Sequence, residues 1–483
     1  MSEIREKCGV TAVYSKDESA ARIAYFALSA LQHRGQESSG IVTTNDDQFF
    51  SHRGPGLVAQ VYREQDLQTL EGELAIGHNR YATSGGKHDS HMQPVLRGDD
   101  VLALAHNGNL PSTEKLKKFL KSKKIYKSGS NDSEMMADAI RYFVYHGNTI
   151  SKAIKLTWPL LTGVFSCTLI TKKAIYAFRD RCGVRPLSLG KLKNGYIVAS
   201  ETCAFDMVGA EHIRDIKPGE LVKINSKGIR SWQIEKGDPK LEVFEFIYFA
   251  RPDSILGGKL VNEIRRKMGD QLAIEHPKQV DLVVPVPDSA IPAALGYAYT
   301  LGLEFDHVLI KNRYIHRTFI QPTQELRERS VQMKLNPLPE HIRGKSIVLV
   351  DDSIVRGTTT KQIVKMLRKA GAKEVHIRVS SPPVRFPDFY GIDTPDQSQL
   401  IAAKHNLEDI QVHIQADSLA YLSYEGMLKA IGIDENKLCT ACFTGQYPID
   451  LMERSSEVVL DHPNWLVSES AQSLYKQTTK QHQ

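Results

Sequence analysis

The chain has 483 residues, 41% of them apolar and 24% charged, the balance of a soluble globular protein long enough for two or more cores. Its formal charge of +6 is small for that length, no Lys/Arg block suits a nucleic-acid arm or a membrane anchor, and no stretch approaches the ~18 apolar residues of a membrane span. Met1 to Lys7 is charged and has no signal-peptide core, so the expectation is a cytoplasmic protein with neither nucleic acid nor membrane as partner.

Cys8 opens the strand-like run Cys8-Gly-Val-Thr-Ala-Val-Tyr14, and Glu18 to His33 carries Ile23, Phe26, Ala27, Ala30 and Leu31 at helical spacing. Six cysteines in so long a chain do not form a disulfide framework, so each is a packed thiol, a ligand or a nucleophile. A cysteine this near the start is more often a small apolar filler. It gains a second chemical function if residues 1–7 are removed as a propeptide. The freed α-amino group, with a pKa near ~8, then lies close to the thiol, and one residue supplies both nucleophile and base.

Four polar segments follow apolar runs: Leu31-Gln-His-Arg-Gly-Gln-Glu-Ser-Ser-Gly40, Gly77-His-Asn-Arg-Tyr-Ala-Thr-Ser-Gly85, Ala105-His-Asn-Gly-Asn-Leu110 and Asn131-Asp-Ser-Glu134. Taken singly, Arg80 reads as a surface arginine and Asp132 as a helix cap. Asn107-Gly108 reads as a type I′ hairpin turn, whose tip would present an amide and a free N–H. His88 and His91 have an i,i+3 spacing with no Cys or carboxylate partner, and read as a solvated loop.

Taken together with Cys8-Gly-Val, the four segments resemble the class II glutamine amidotransferases, a family of N-terminal-nucleophile hydrolases. The resemblance implies an αββα sandwich in which Cys8 is the nucleophile and Asn107 and Gly108 form the oxyanion hole. It further implies that Arg80 pairs with the glutamine carboxylate, assisted by Thr83, and that Asp132 holds the α-ammonium. His33 and His106 receive no role.

In the second half, Ile347-Val-Leu-Val-Asp-Asp-Ser-Ile-Val-Arg-Gly-Thr-Thr-Thr360 reads as a buried strand, a polar turn and a helix start. The unit Ile347–Val350, Thr358–Ala370 and Val375–Val379 is a βαβ crossover. Backbone N–H groups at such a turn attract an anion, and Ser353, Gly357, Thr358, Thr359 and Thr360 suit a phosphate. Asp351 and Asp352 repel one, so their partners are sugar hydroxyls or a phosphate-borne magnesium ion. Neither the Walker A nor the Rossmann glycine spacing is present in this turn. Asp281-Leu-Val-Val-Pro-Val-Pro-Asp-Ser289 is another buried strand ending in a polar turn, and Lys311 to Lys334 is basic without a steady period, as suits a lid.

This pattern resembles the type I phosphoribosyltransferases, a parallel-sheet α/β fold. The resemblance implies that Asp351 and Asp352 hold the ribose hydroxyls of phosphoribosyl pyrophosphate (PRPP), with Ser353, Arg356, Gly357, Thr358 and Thr359 around its phosphate. Lys311 and Lys334 are the expected lid charges, with Tyr314 and Arg317 facing the other half. One Mg²⁺ per subunit, arriving with PRPP, is expected near Ser289, Asp351 and Asp352.

A glutaminase over 8–240 followed by a phosphoribosyltransferase over 241–450, with a tail over 451–483, resembles the glutamine-dependent PRPP amidotransferases that open purine synthesis. The segment Glu245-Phe-Ile-Tyr-Phe-Ala-Arg-Pro-Asp-Ser254 also matches. The resemblance implies glutamine and PRPP as substrates, purine nucleotides as inhibitors, and a homo-oligomer, dimer or tetramer. Some members carry a four-cysteine iron–sulfur cluster, and Cys439 and Cys442 match two ligands. Glu242 and Asp388 stand in the other two places, so no iron–sulfur cluster is expected. Free thiols are favoured there over zinc, and Cys167, Cys182 and Cys203 are expected to be packed. Sugar-isomerase synthases sharing the first half lack the Asp351 loop, and PRPP-binding repressors carry a DNA-binding module instead of a glutaminase. A catalytically silent PRPP-binding paralogue stays open. Ser468 to Gln483 has too few apolar residues to pack a core, and a frayed end is expected.

Overall fold

The computed structural model describes residues 8–81, 92–96, 101–312, 334–391 and 396–459. Residues 1–7, Thr83, His88, His91, Tyr314, Arg317 and the expected frayed end lie outside them.

The first half is built from thirteen strands: β1 (Gly9–Ser15), β2 (Ser38–Thr44), β3 (Phe49–Pro55), β4 (Leu74–Arg80), β5 (Val95–Leu96), β6 (Ala103–Ser112), β7 (Thr162–Thr171), β8 (Ala174–Arg179), β9 (Ser188–Leu192), β10 (Gly195–Ala199), β11 (Glu211–Asp215), β12 (Glu220–Asn225) and β13 (Gly228–Gln233). They form a sheet of order β11-β9-β10-β1-β4-β2-β3 and a second of order β13-β12-β8-β7-β6-β5. Strand periodicity sorts side chains between layers. Val10, Ala12 and Tyr14 of β1 point into the core between the sheets, whereas Val13 packs under the Ala20–Ala30 and Cys203–Val208 helices. The Glu114–Ser122, Asp132–Tyr145 and Ile150–Thr157 helices cover the second sheet, completing the αββα sandwich.

Two local expectations change. The helical pattern through His33 is a helix over Ala20–Ala30, capped by Ser19, followed by a tight turn at Gln32–Arg34. Leu31 extends the apolar period because it still packs in the same core after the helix has ended. Asn107 and Gly108 are not a hairpin tip: they lie within β6, opposite Ser166 and Phe165 of β7. Gly108 has φ +149°, and a Cβ there would lie 2.1 Å from the Val164 carbonyl oxygen. The glycine is therefore required by a close strand approach, which imposes the same residue as a turn does.

In the second half, strands Leu282–Pro285, Ser346–Asp351, Glu374–Val379 and Ser418–Tyr421 pair in that order, all parallel. Val348, Leu349 and Ile377 are fully buried because helices flank both faces, which is why these strands read as continuous apolar runs. The crossover helix spans Thr358–Lys369, matching the expected βαβ unit closely. Leu241–Glu242 pairs with Leu438–Cys439, and the buried turn Glu245–Phe249 then enters this half.

Candidate active site

Cys8 is partly buried and immediately precedes β1. Its carbonyl lies 3.5 Å from Arg34 Nε. Gly9 pairs with Asn79, so Arg80 continues β4 alongside Cys8. His78 ties β4 to the facing sheet by donating Nε2–H to the His106 carbonyl at 3.2 Å. Burial pushes the His78 pKa down to about 3, so the ring is neutral. This bridge sets Arg80 and the Asn107–Gly108 pair on facing strands of the two sheets.

Asn107 is fully buried, and among the described residues neither its Oδ1 nor its Nδ2 has a hydrogen-bond partner. A buried amide left unmatched costs about 1–3 kcal/mol, which points to a ligand as its partner. Asp132 is not the helix cap. Asn131 is: its side chain accepts from Glu134 N at 2.8 Å, and Glu134 Oε2 accepts from Asn131 N at 3.0 Å. Asp132 follows as the first helical residue, with Oδ2 3.4 Å from Leu110 N, two residues past Gly108. Its carboxylate thus stands at a helix N-terminus beside β6.

His106 is a β6 residue that braces the strand. Its Nε2–H donates to the Val164 carbonyl at 3.1 Å, and its backbone N–H to Gln93 Oε1 at 2.7 Å.

In the second half Asp351 and Asp352 end the Ser346–Asp351 strand, 2% and 1% exposed. Asp352 accepts from Ser353 Oγ at 2.6 Å and from the Ser289 hydroxyl. Burial raises its pKa, opposed by these two hydroxyls. Gly357 has φ +76° and caps the helix whose first turn holds Thr358, Thr359 and Thr360. A Cβ on Gly357 would meet Ile401 Cδ1 at 2.9 Å, so both backbone angle and space select glycine.

Lys311 and Lys334 are brought together although the segment between them is outside the described residues. Strand Leu309–Lys311 pairs antiparallel with Leu335–Pro337, and Asn312 N donates to the Lys334 carbonyl at 2.9 Å. Lys311 forms an ion pair with Asp288, next to Ser289. Arg356 Nη2 donates to Gln399 Oε1 at 2.9 Å on the surface.

A glutamine amidotransferase domain model matches residues 78–207, and a phosphoribosyl transferase domain model matches residues 257–381. The amidophosphoribosyltransferase of Synechococcus elongatus is 50% identical over 465 residues, covering 94% of each chain, and that of Bacillus subtilis is 44% identical, covering 95% of this chain and 97% of its own. The chain belongs to the amidophosphoribosyltransferase family. The solved B. subtilis glutamine PRPP amidotransferase, complexed with ADP and GMP, superposes with TM-score 0.85 at 43% identity, covering 92% of this chain and 98% of its own. These relatives give no support to the silent-paralogue alternative.

Amidophosphoribosyltransferases are glutamine-dependent transferases with two chemistries in one chain, and here the seam between the halves is charged and buried. Arg34 pairs with Glu201 and with Glu245. Burial opposes the charge on Glu201, yet His33 and Arg34 hold its carboxyl far below the usual range. His33 Nε2 lies 2.7 Å from Glu201 Oε1, so both unassigned histidines have structural partners. Sequence reading missed this network because its members are 167 and 211 residues apart.

Glu242, Asp388, Cys439 and Cys442 do gather at this seam. Glu242 is the register partner of Cys439, and the Glu242 and Asp388 carboxyls lie near both thiols. Burial raises both thiol pKa values well above their ordinary range, and two of the four side chains are carboxyls where a cluster takes thiolates. The donor set does not fit an iron–sulfur cluster. Among the described residues no three His, Cys, Asp or Glu groups are placed to hold a metal ion. All six cysteines are without disulfides, and Cys167, Cys182 and Cys203 are packed in the interior. Among the described residues, no helix is long and apolar enough to cross a membrane.

Proposed function

We propose that the chain converts glutamine, PRPP and water to 5-phosphoribosylamine, glutamate and pyrophosphate, the first step of purine (IMP) synthesis. The observation that carries the residue assignment is the unmatched, fully buried Asn107 amide on the strand tied to Arg80 by His78. After removal of 1–7, the Cys8 thiol attacks the glutamine amide carbon while its own α-amino group takes the thiol proton. Asn107 Nδ2 and Gly108 N donate to the developing oxyanion. Collapse, with the α-ammonium returning that proton to the leaving nitrogen, expels ammonia and leaves a thioester, which water hydrolyses to glutamate. Arg80 and Thr83 hold the substrate carboxylate and Asp132 its ammonium.

In the second half Asp351 and Asp352 accept from the ribose hydroxyls. Ser353, Gly357, Thr358 and Thr359 donate to the 5-phosphate, with Arg356 at the rim. Lys311 and Lys334 flank the pyrophosphate. The oxygen donors Ser289, Asp351 and Asp352 suit Mg²⁺, which when bound supplies charge neutralisation for the departing pyrophosphate. The ammonia then attacks C1 of the sugar. Exclusion of water by the lid protects that carbon from hydrolysis.

The ADP and GMP of the B. subtilis complex support purine nucleotides as inhibitors here. A cytoplasmic homo-oligomer, dimer or tetramer, completes the reading.

The test supplies glutamine or free ammonia with PRPP, follows phosphoribosylamine and glutamate, and weighs the intact chain. One glutamate per phosphoribosylamine on a chain beginning at Cys8 is expected. Glutamate release by a chain retaining residues 1–7 overturns the α-amino mechanism, and amination that ignores PRPP overturns the coupled reaction.

A further inference from the structure

The strand bearing Asn107 and Gly108 is held from the other half of the molecule. Asn109, one residue beyond Gly108, donates Nδ2–H to the Phe389 carbonyl at 2.8 Å. Gly391 packs against Gly108, since a Cβ on Gly391 would lie 3.4 Å from Gly108 Cα and 3.1 Å from Arg185 Nε. Arg185 holds β7, the strand paired with β6. Its carbonyl accepts from Ser166 Oγ at 3.0 Å, and Ser166 is the register partner of Asn107. Its guanidinium reaches across the seam, with Nη1 3.1 Å from Glu245 Oε1 and Nη2 3.8 Å from Asp388 Oδ1.

The segment grasped by these two residues begins at the sugar-phosphate site. Ser380 N donates to the Asp351 carbonyl at 2.9 Å, and the chain then runs from Ser380 to Phe389. Phe386 N is fixed on the way by the Cys442 carbonyl at 3.0 Å. A short, buried length of backbone therefore joins Asp351 to Asn109.

We infer that Asn109 and Arg185 are positioning residues for glutamine hydrolysis, through which the Ser380–Gly391 segment sets the aim of the Asn107–Gly108 oxyanion donors. The inference rests on the reading of Asn107 and Gly108 given above. Oxyanion donors act only near 2.7–3.1 Å from the developing charge, so a displacement of a fraction of an ångström at β6 is costly. Neither Asn109 nor Arg185 needs to touch glutamine for this.

The test compares Asn109→Ala with wild type in the full-length enzyme, measuring glutamate release and ammonia-dependent phosphoribosylamine formation separately. The glutaminase kcat is expected to fall about tenfold with KM for glutamine within twofold, and the ammonia-dependent rate to stay within twofold. Arg185→Lys, which keeps a cation facing Glu245, is expected to show the same split more weakly. A glutaminase kcat within twofold of wild type for Asn109→Ala overturns the inference, as does an equal fall in both activities. Asn107→Ala in parallel separates the two readings: full glutamate release by that variant defeats the oxyanion assignment itself. Loss in Asn107→Ala with none in Asn109→Ala defeats only the positioning role.

Discussion

Arg34 crosses from the glutaminase half to grip Glu245, with Nη2 donating to Oε1 at 2.7 Å and Nη1 to Oε2 at 3.0 Å. The pair is buried, Arg34 at 2% and Glu245 at 0% exposure, and Arg185 and Glu201 complete the network. Removing one partner leaves an uncompensated interior charge, a loss of about 3–5 kcal/mol, whereas apolar replacement of a whole buried set can be nearly neutral. Arg34→Met is therefore expected to destabilise the protein by about that amount in denaturant unfolding. Arg34→Met with Glu245→Met should lose less than the sum of the single changes, because they share the network. Additive losses would show that the two side chains do not interact energetically.

Glu242 supplies a pH test. Burial and then the neighbouring Asp388 charge push its carboxyl up to about 8, so it is protonated in the folded protein at neutral pH. Its unfolded value is about 4.3. A raised folded pKa means a contribution fully present below the unfolded value and lost as pH rises through the folded one. Stability is expected to decline by up to about 1.4 kcal/mol per pH unit from weakly acidic pH toward pH 8 on this account, then level. Glu242→Gln, which mimics the protonated carboxyl, should remove that decline. An unchanged stability profile in the variant would exclude Glu242 as its source.

Much of this was legible in the chain because it is local. Ile347–Val350 with Asp351, Asp352 and Gly357 is a contiguous strand, turn and helix, and its boundaries hold to within a residue or two. The Asn107-Gly108 pair stands out in the sequence but its backbone does not, since positive φ serves a turn and a crowded strand alike. Arg34, Glu201, Glu245 and Arg185 were illegible as a set. Each is an ordinary charged residue until folding removes water from all four, and no spacing rule connects positions so far apart.

Asn107→Ala tests the oxyanion assignment. Loss of one such donor typically costs 10²–10³ in kcat, with a smaller effect on ground-state binding. Glutaminase kcat is expected to fall by about that factor, with KM for glutamine little changed. Gly108→Ala should be at least as damaging and should also reduce stability, because its Cβ would meet the Val164 carbonyl oxygen at 2.1 Å. A Gly108→Ala enzyme of normal activity and stability would contradict the strand geometry.

The sugar site makes a separable prediction. Asp352 is almost fully buried and held by the hydroxyls of Ser289 and Ser353, so it is fixed in place before substrate arrives. A charged acceptor facing a ribose hydroxyl contributes about 1.5–3 kcal/mol, and an amide in its place keeps the size while giving up the charge. Asp352→Asn is accordingly expected to weaken PRPP binding by about 10- to 100-fold, read by calorimetric titration with Mg²⁺ present. Ser289→Ala removes only the side-chain anchor and should weaken binding less. If both variants bind PRPP as wild type does, the acidic pair at the end of the Ser346–Asp351 strand does not hold the sugar.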